Sequence, residues 1–359
     1  MLFARIFKLV IFIAFVLNVI FLFIAISSPW FNPKYFWLPA LFGLFFKLFL
    51  AIHLFFILIF FIGRLKRLIW ISFIFLLFSF PAIIHASGLW LFGPKKMIDP
   101  NLKLMTYNID NFDYYSDTIS SGLILKVIQD QNPSIICFQE YLRKRNNTSI
   151  ILKIKALGYK YYYENITEVL YPGNHVGQAI FSKLPFYNPN PIHFKNTSNG
   201  AFSVDIPFDH DTFRLYNVHF QSIGLRDNEL KIPSSIKDFE APQKWYYKML
   251  FIKIRTAFRK RSYQSLKVKE LADRSPYKVI LCGDFNDTPL SFLYKQLTEK
   301  LDDTYLRTGF GFGSTYSGII PLQRIDYILA DPRIKTDQTK VLHVSGSDHY
   351  PVVTNFSLH

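Results

Sequence analysis

The chain has 359 residues, half of them apolar, with 41 Lys and Arg against 26 Asp and Glu. The surplus is uneven: residues 1–96 carry nine basic and no acidic side chains and the rest balances at +6, so the formal +15 is weak ground for a nucleic-acid-binding protein. Two cysteines imply no disulfide framework.

Three apolar stretches fill the first third, roughly Leu9–Ser27, Phe36–Ile62 and Leu68–Phe92, with Pro81 placed to kink the last. At about 1.5 Å per residue each can cross a hydrocarbon layer of about 30 Å. None shows the polar face of a soluble helix. A cleaved signal peptide competes for the first stretch, since Arg5 and Lys8 give it a basic start, but its apolar part is long and two more stretches follow. Lys47 and His53 interrupt the second stretch. A functional polar site there competes with snorkelling, a helix–helix hydrogen bond or a shifted boundary. Arg5 and Lys8 agree with Arg64, Lys66 and Arg67 only if the N-terminus is cytoplasmic, although Lys34, Lys95 and Lys96 pull the other way. Trp30, Trp37, Trp70 and Trp90 fall near stretch ends, as interfacial aromatics do. We expect a transmembrane region of about three helices over residues 1–96. The remainder, 97–359, is then an extracytoplasmic domain of a multi-pass membrane protein.

Beyond Pro94 the pattern changes. "LKLMTYNI", "SIICFQE", "GQAIFS", "FSVDI", "TFRLYNVHF", "KVILCGDF", "RIDYILA" and "YPVVTNFSL" read as strands, rich in Val, Ile, Tyr and Phe. Helices are expected over 119–131, 148–157, 242–273 and 290–297. Interleaved strands and helices suggest α/β sheets covered by helices, and near-continuous apolar runs such as "VILC" suit strands buried on both faces. Cys137 and Cys282 lie in such runs and read as small core residues.

Several strands end abruptly in polar groups: Asn108, Glu140, His219, Asp284 with Asn286, and Asp348 with His349. Singly, each has an ordinary explanation as a turn or surface residue. Together they supply what phosphoester hydrolysis needs: oxygen ligands for a hard cation, a group to position or deprotonate water, and donors for phosphoryl oxygens.

The series "MTYNIDNF", "ICFQEY", "YNVHFQS", "LCGDFNDTP", "RIDYILA" and "GSDHYPVV" resembles the successive motifs of the endonuclease/exonuclease/phosphatase superfamily, in order, over about residues 101–359. That group includes deoxyribonuclease I, abasic-site endonucleases, neutral sphingomyelinases and inositol polyphosphate 5-phosphatases. The resemblance implies a four-layer α/β sandwich, two packed mixed β-sheets flanked by helices, with the site at one sheet edge. It implies Mg²⁺, with Mn²⁺ as an alternative, held by Glu140, with Asn108 and Asp348 as metal partners. It implies that Asp284 orients or deprotonates the attacking water and that Asn286 donates to a phosphoryl oxygen. His349 would contact the phosphate, with Asp326 fixing its tautomer, and His219 would assist the phosphate or leaving group. The tyrosine of the abasic-site enzymes has no clear counterpart: "YPGNHVGQ" offers only Tyr171 and His175 nearby, which speaks against DNA repair.

Residues 226–273 form a long basic insert, in which Trp245, Tyr246, Leu250, Ile254, Ala257 and Phe258 make an approximate helical stripe. Lys248, Lys253, Arg255, Arg259, Lys260 and Arg261 lie elsewhere on it. An ordinary covering helix competes with one that docks on anionic headgroups or steers an anionic substrate. Arg261 and Gln264 fall where the family's helix before "GDFN" packs. The expected function is metal-dependent phosphoester hydrolysis. A lipid or membrane-proximal phosphodiester ranks before nucleic acid, which enters only as a substrate, and before a small phosphomonoester. The alternative is a catalytically silent membrane-anchored scaffold. A transporter is disfavoured, because three helices with few polar residues offer little pathway.

Overall fold

Alternation along β1 (Leu102–Asn108) sends Leu102 and Leu104 into one apolar layer and Met105 and Tyr107 into another. The same period repeats along β2 (Ile135–Arg143), β7 (Asp211–His219), β8 (Lys278–Asp284) and β10 (Asp326–Ala330), so each strand serves two cores. The chain is described here from a computed structural model covering residues 2–88, 100–110, 119–144, 149–171, 173–224, 241–318 and 322–358. Trp90, Lys95, Lys96, the end of the third apolar stretch and residues 226–240 of the insert lie outside those residues.

Two six-stranded mixed sheets pack face to face. The first also contains β3 (Tyr161–Leu170), β4 (Asn174–Ser182), β11 (Lys335–Val341) and β12 (Val352–Ser357), in the order β11-β12-β1-β2-β4-β3. The second adds β5 (Tyr187–His193), β6 (Gly200–Phe208) and β9 (Asp302–Asp303), in the order β5-β6-β7-β8-β10-β9. Each has one parallel pair, β1 with β2 and β7 with β8. Cys137 and Cys282 meet between the sheets among Leu104, Ile135, Ile280 and Ile328. Helices α6 (Ile119–Gln131) and α7 (Ser149–Ala156) cover the first sheet. The end of α8 (Ala241–Asp273) and α9 (Phe292–Leu297) cover the second. This is the expected four-layer sandwich. The short α10 (Thr304–Thr308) was not anticipated.

The N-terminal third is helical. It comprises α1 (Leu2–Ser27), α2 (Leu38–Leu44), α3 (Phe46–Ile62), α4 (Lys66–Phe78) and α5 (Phe80–Ala86). Among the described residues one helix, Arg5–Trp30, is long and apolar enough to cross a membrane, or up to three if each bent pair is one span. The α2–α3 pair bends by 64° and α4–α5 by 51°, the latter beside Pro81. His53 is buried and its Nε2 pairs with the Ser72 carbonyl at 3.1 Å, a hydrogen bond between helices. Lys47 sits at the α2–α3 bend and donates to the Leu322 carbonyl.

The helices dock on the sandwich by one end. Ser28 donates to the Leu290 carbonyl at 2.5 Å, and Ser262 to Asn32 Oδ1 at 2.6 Å. Gln323 donates to the Leu44 carbonyl at 3.3 Å, and Arg324 to the His85 carbonyl at 3.2 Å. Leu290 packs among Leu22, Ala25, Phe46, Ala82 and Ala86.

Candidate active site

The inward-facing rows of five strands turn polar at the same end of the sandwich. Leu104 is followed by Thr106 and Asn108, Cys137 by Gln139, Leu215 by Asn217 and His219, and Cys282 by Asp284. On β10, which runs antiparallel to β8, Asp326 pairs in register with Asp284 and leads into Ile328. Glu140 joins by a different route. Strict alternation would turn it outward with Phe138, but β2 bulges between Phe138 and Tyr141 and Glu140 takes a left-handed φ of 48°. The bulge keeps Phe138 and Tyr141 in the outer core and brings the carboxylate over the inner face.

The expected residues converge. Asn108 Nδ2 donates to Glu140 Oε1 at 3.2 Å and to Asp284 Oδ2 at 3.0 Å, while its Oδ1 accepts from the Asp110 N–H at 3.1 Å. In this orientation Asn108 ties the two carboxylates together. His219 Nε2 lies 3.6 Å from Glu140 Oε1 and 3.6 Å from Asp284 Oδ2. His349 Nδ1 pairs with Asp326 Oδ2 at 2.9 Å, and its Nε2 is 3.9 Å from Asp284 Oδ2 and 4.0 Å from Asp348 Oδ1. Asn286 braces Asp284 twice, from its N–H at 2.7 Å and from Nδ2 at 2.9 Å. Asn108, Asp284, Asp326, His219 and His349 are buried, whereas the Glu140 and Asp348 side chains are 28% and 43% exposed. The site therefore has a dry floor and an open acidic rim.

The electrostatics split the two histidines. Burial opposes the charge on His349, yet the Asp326 and Asp284 carboxylates outweigh it and hold the imidazolium well above its usual range. Burial pushes His219 down, against the pull of Asp284. Burial also raises Glu140, against His349 and Asn108, and raises Asp284, with Asp326 adding to the effect.

A second set of residues supports the first and was not anticipated. Gln139 donates to Asn217 Oδ1 at 2.7 Å, and Asn217 donates to the Phe138 and Ala179 carbonyls, joining the two sheets beneath the site. Thr315 Oγ1 accepts from the N–H groups of Ile325 and Asp326, each at 3.0 Å, and Tyr316 packs on His349 with ring centres 5.0 Å apart. Arg261 and Gln264 do pack as expected. Arg261 pairs with Asp287 at 3.0 Å and donates to the Gln221 carbonyl, and Gln264 accepts from the Gln221 N–H. Tyr171 is 95% exposed and His175 pairs with Arg143, so neither enters the site.

The donor set suits a hard divalent cation. Glu140 offers a partly exposed carboxylate with Asp284 beside it and Asp348 in electrostatic reach, and the buried His219 Nε2 has no hydrogen-bond partner among the described residues. A second grouping, Asp284, Asp326 and His349, has ligand atoms within 4.8 Å of one another. There the 2.9 Å hydrogen bond to Asp326 Oδ2 already occupies His349 Nδ1. That grouping is better read as an oriented His–Asp pair.

A cleft of about 530 Å³ opens over Glu140 and His219, between Thr167 and Glu168 of β3 and residues Ile252–Lys260 of α8.

Comparisons with known proteins agree with this architecture. No curated protein matches the chain. Residues 7–86 match a family described only as a domain of unknown function. Among solved structures, an endonuclease/exonuclease/phosphatase protein from Beutenbergia cavernae superposes with a TM-score of 0.52 at 18% identity, covering 72% of each chain. The human nocturnin catalytic domain with bound sulfate gives 0.54 at 17% identity, over 74% of this chain and 97% of that one. A mannosyl-6-phosphatase from Bacteroides thetaiotaomicron gives 0.50 at 16%, over 72% and 100%. At such identities these likenesses speak for the fold alone. Residues 105–349 match the profile described as Endonuclease/Exonuclease/phosphatase family, and the chain belongs to that family.

Proposed function

We propose that the chain is a membrane-anchored, divalent-metal-dependent phosphoesterase that cleaves a membrane-proximal or extracytoplasmic phosphodiester. The observation that carries this reading is the polar end of five inward strand rows, where carboxylates, amides and two histidines meet over one dry floor. Glu140, with Asn108 and Asp348 beside it, would hold Mg²⁺ or Mn²⁺. When bound, the ion supplies charge stabilisation and polarises the phosphoryl group. Asp284, braced by Asn286 and Asn108, orients the attacking water and takes its proton. Asp326 fixes the His349 tautomer, so His349 presents Nε2 to the developing negative charge. His219 would assist the phosphoryl oxygens and the leaving group, whereas both Asn286 Nδ2 hydrogens are taken, by Asp284 Oδ2 and the Phe220 carbonyl, so Asn286 would act by bracing Asp284 rather than by the expected donation to a phosphoryl oxygen.

The anchor reading takes each bent pair as one span. It is supported by where the sandwich docks: the ends of α1 and α5 and the start of α3 meet it, opposite Arg5, Lys8, Arg64, Lys66 and Arg67. With positive residues inside, the site is extracytoplasmic.

The test is hydrolysis of bis-p-nitrophenyl phosphate by the full chain in detergent. We expect Mg²⁺-dependent turnover that EDTA abolishes and that Glu140→Gln loses. Equal turnover in EDTA, or in the variant, would overturn the reading.

A further inference from the structure

Helix α8 is longer than the sheet it covers. From Ala257 onward it is anchored: Ala257, Phe258, Arg261, Gln264 and Val268 are buried. From Trp245 to Thr256 no residue is buried. This overhang leaves Trp245 64%, Phe251 49% and Ile252 40% exposed, interleaved with the exposed cations Lys248, Lys253 and Arg255. Large apolar side chains among cations on one exposed helix are the composition of a segment that lies at a lipid surface.

What covers the overhang follows from its contacts. The Phe251 ring meets Trp37 edge-on at 4.6 Å, and six residues past the overhang Ser262 bonds Asn32 at 2.6 Å. Both partners lie in the connection after α1, the helix apolar and long enough to cross a membrane. That connection also exposes Trp30, Tyr35 and Phe36, by 67%, 79% and 51%. Aromatic residues at the end of a span sit at headgroup depth. Phe251 is thus tied to a segment whose depth the span sets.

The same turns of α8 also wall the cleft. Ile252, Lys253, Thr256 and Lys260 line it opposite Glu140 and His219. We propose that Trp245–Thr256 lies in the headgroup layer as an interfacial helix on an anionic leaflet, so that the cleft beside it receives a phosphodiester borne by a lipid of that leaflet. The second half of this proposal rests on the phosphoesterase reading. Lys253 and Lys260 supply the positive wall that a headgroup phosphate would meet as it leaves the layer for the floor of the site.

Two measurements on the full chain in lipid nanodiscs test it. The first reads depth. A nitroxide placed by Trp245→Cys, the native Cys137 and Cys282 being buried, should be more accessible to oxygen than to a water-soluble nickel chelate. The preference should weaken in nanodiscs without anionic lipid. A label at Tyr171→Cys, on the exposed β3–β4 turn, is the aqueous control. Equal nickel accessibility at the two positions overturns the interfacial helix. The second reads activity. The Trp245→Glu/Phe251→Glu pair should leave hydrolysis of soluble bis-p-nitrophenyl phosphate unchanged and lower hydrolysis of phosphodiester lipids in the disc about tenfold or more, with Trp245→Glu alone as the milder version. Equal loss on both substrates, loss on neither, or a wild type that cleaves the soluble ester but no lipid overturns the lipid-borne substrate. A wild type inactive on every ester overturns the phosphoesterase reading and this half with it, while the nitroxide depth still judges the helix.

Discussion

Glu140 and Gly283 reach the site through backbone conformations that most residues avoid, and they do so for different reasons. Glu140 accepts a left-handed φ because the bulge in β2 turns its carboxylate inward, at a cost of about 1–3 kcal/mol. Gly283, at a φ of 138°, lies where an added Cβ would stand 1.9 Å from the Val218 carbonyl oxygen. It lets β7 and β8 approach closely enough for His219 and Asp284 to face each other. Gly283→Ala should therefore cost more than about 3 kcal/mol, by strain and overpacking together. Denaturant unfolding would show the midpoint falling sharply, and a loss under about 1 kcal/mol would contradict the argument. Asp326 makes a subtler prediction. Its one hydrogen-bonded contact with His349 fixes that ring without touching the cleft. Asp326→Asn should lower kcat on a soluble diester by about two orders of magnitude while KM changes little. All eight expected site residues come together at one end of the sandwich: Asn108, His219 and Asp284 end strands, Asp326 starts one, Glu140 sits on the β2 bulge, and Asn286, Asp348 and His349 lie in the loops beside them. Gln139, Asn217 and Thr315 escaped notice although two of them sit within "FQE" and "YNVH". Their signal was the period: an inward row that turns polar before the strand ends has to pair with something across the sheets.

The strands legible in the sequence are the central ones. All eight strands expected are present, and those missed are β3, β5, β9 and β11. Of these, β11 and β3 close the two edges of the first sheet, and β5 and β9 those of the second. An edge strand is open to water, so its residues need not alternate: β5 shows one buried residue among seven, and β11 likewise. The two-residue β9 is too short to leave any pattern. No bend is expected in the second apolar stretch and a kink at Pro81 is expected in the third; each contains a bend. Pro81 signalled the second bend, but no Pro or Gly pair signalled the one at Phe45, which lies where α2 and α3 meet the segment at Leu322 and Gln323. Helix α8 was placed to within a residue. Its hold on the sheet depends on a buried ion pair, Arg261 with Asp287, three residues beyond Asp284 at the end of β8. Burial raises the Asp287 carboxyl and Arg261 opposes that rise. Removing one partner strands the other's charge in the core. Arg261→Met should cost about 3–5 kcal/mol, and the Arg261→Met/Asp287→Asn pair appreciably less. Additive losses in a denaturant-unfolding cycle would show that the two residues act separately.

At the scale of the whole molecule, the helical third is more than a tether. Its docking end touches the chain immediately before Asp326: Lys47 holds Leu322, Leu44 accepts from Gln323, and His85 accepts from Arg324. Arg324 is itself buried, paired with Asp303 and ringed by Tyr294, Tyr305 and Tyr327 at 4.9–5.9 Å. Two residues later the chain delivers Asp326 to His349. The α2–α3 bend and the end of α5 thus form part of the wall that fixes this segment. A region that only anchored the enzyme could be exchanged freely. Replacing residues 1–88 with an unrelated single-span helix should therefore do two things. It should lower the thermal unfolding midpoint, because Leu290 loses the apolar cluster of Leu22, Ala25, Phe46, Ala82 and Ala86. It should also lower kcat on soluble bis-p-nitrophenyl phosphate with KM nearly unchanged, because the His349–Asp326 pair loses its backing while no residue of 1–88 lines the cleft. The two readouts separate the causes. A midpoint that falls with kcat intact would mean that the helices stabilise the sandwich without setting the pair. Wild-type values for both would mean that the contacts at Leu322, Gln323 and Arg324 are incidental to docking. A kcat that falls while the protein stays folded at the assay temperature would make the helical third a structural part of the candidate active site.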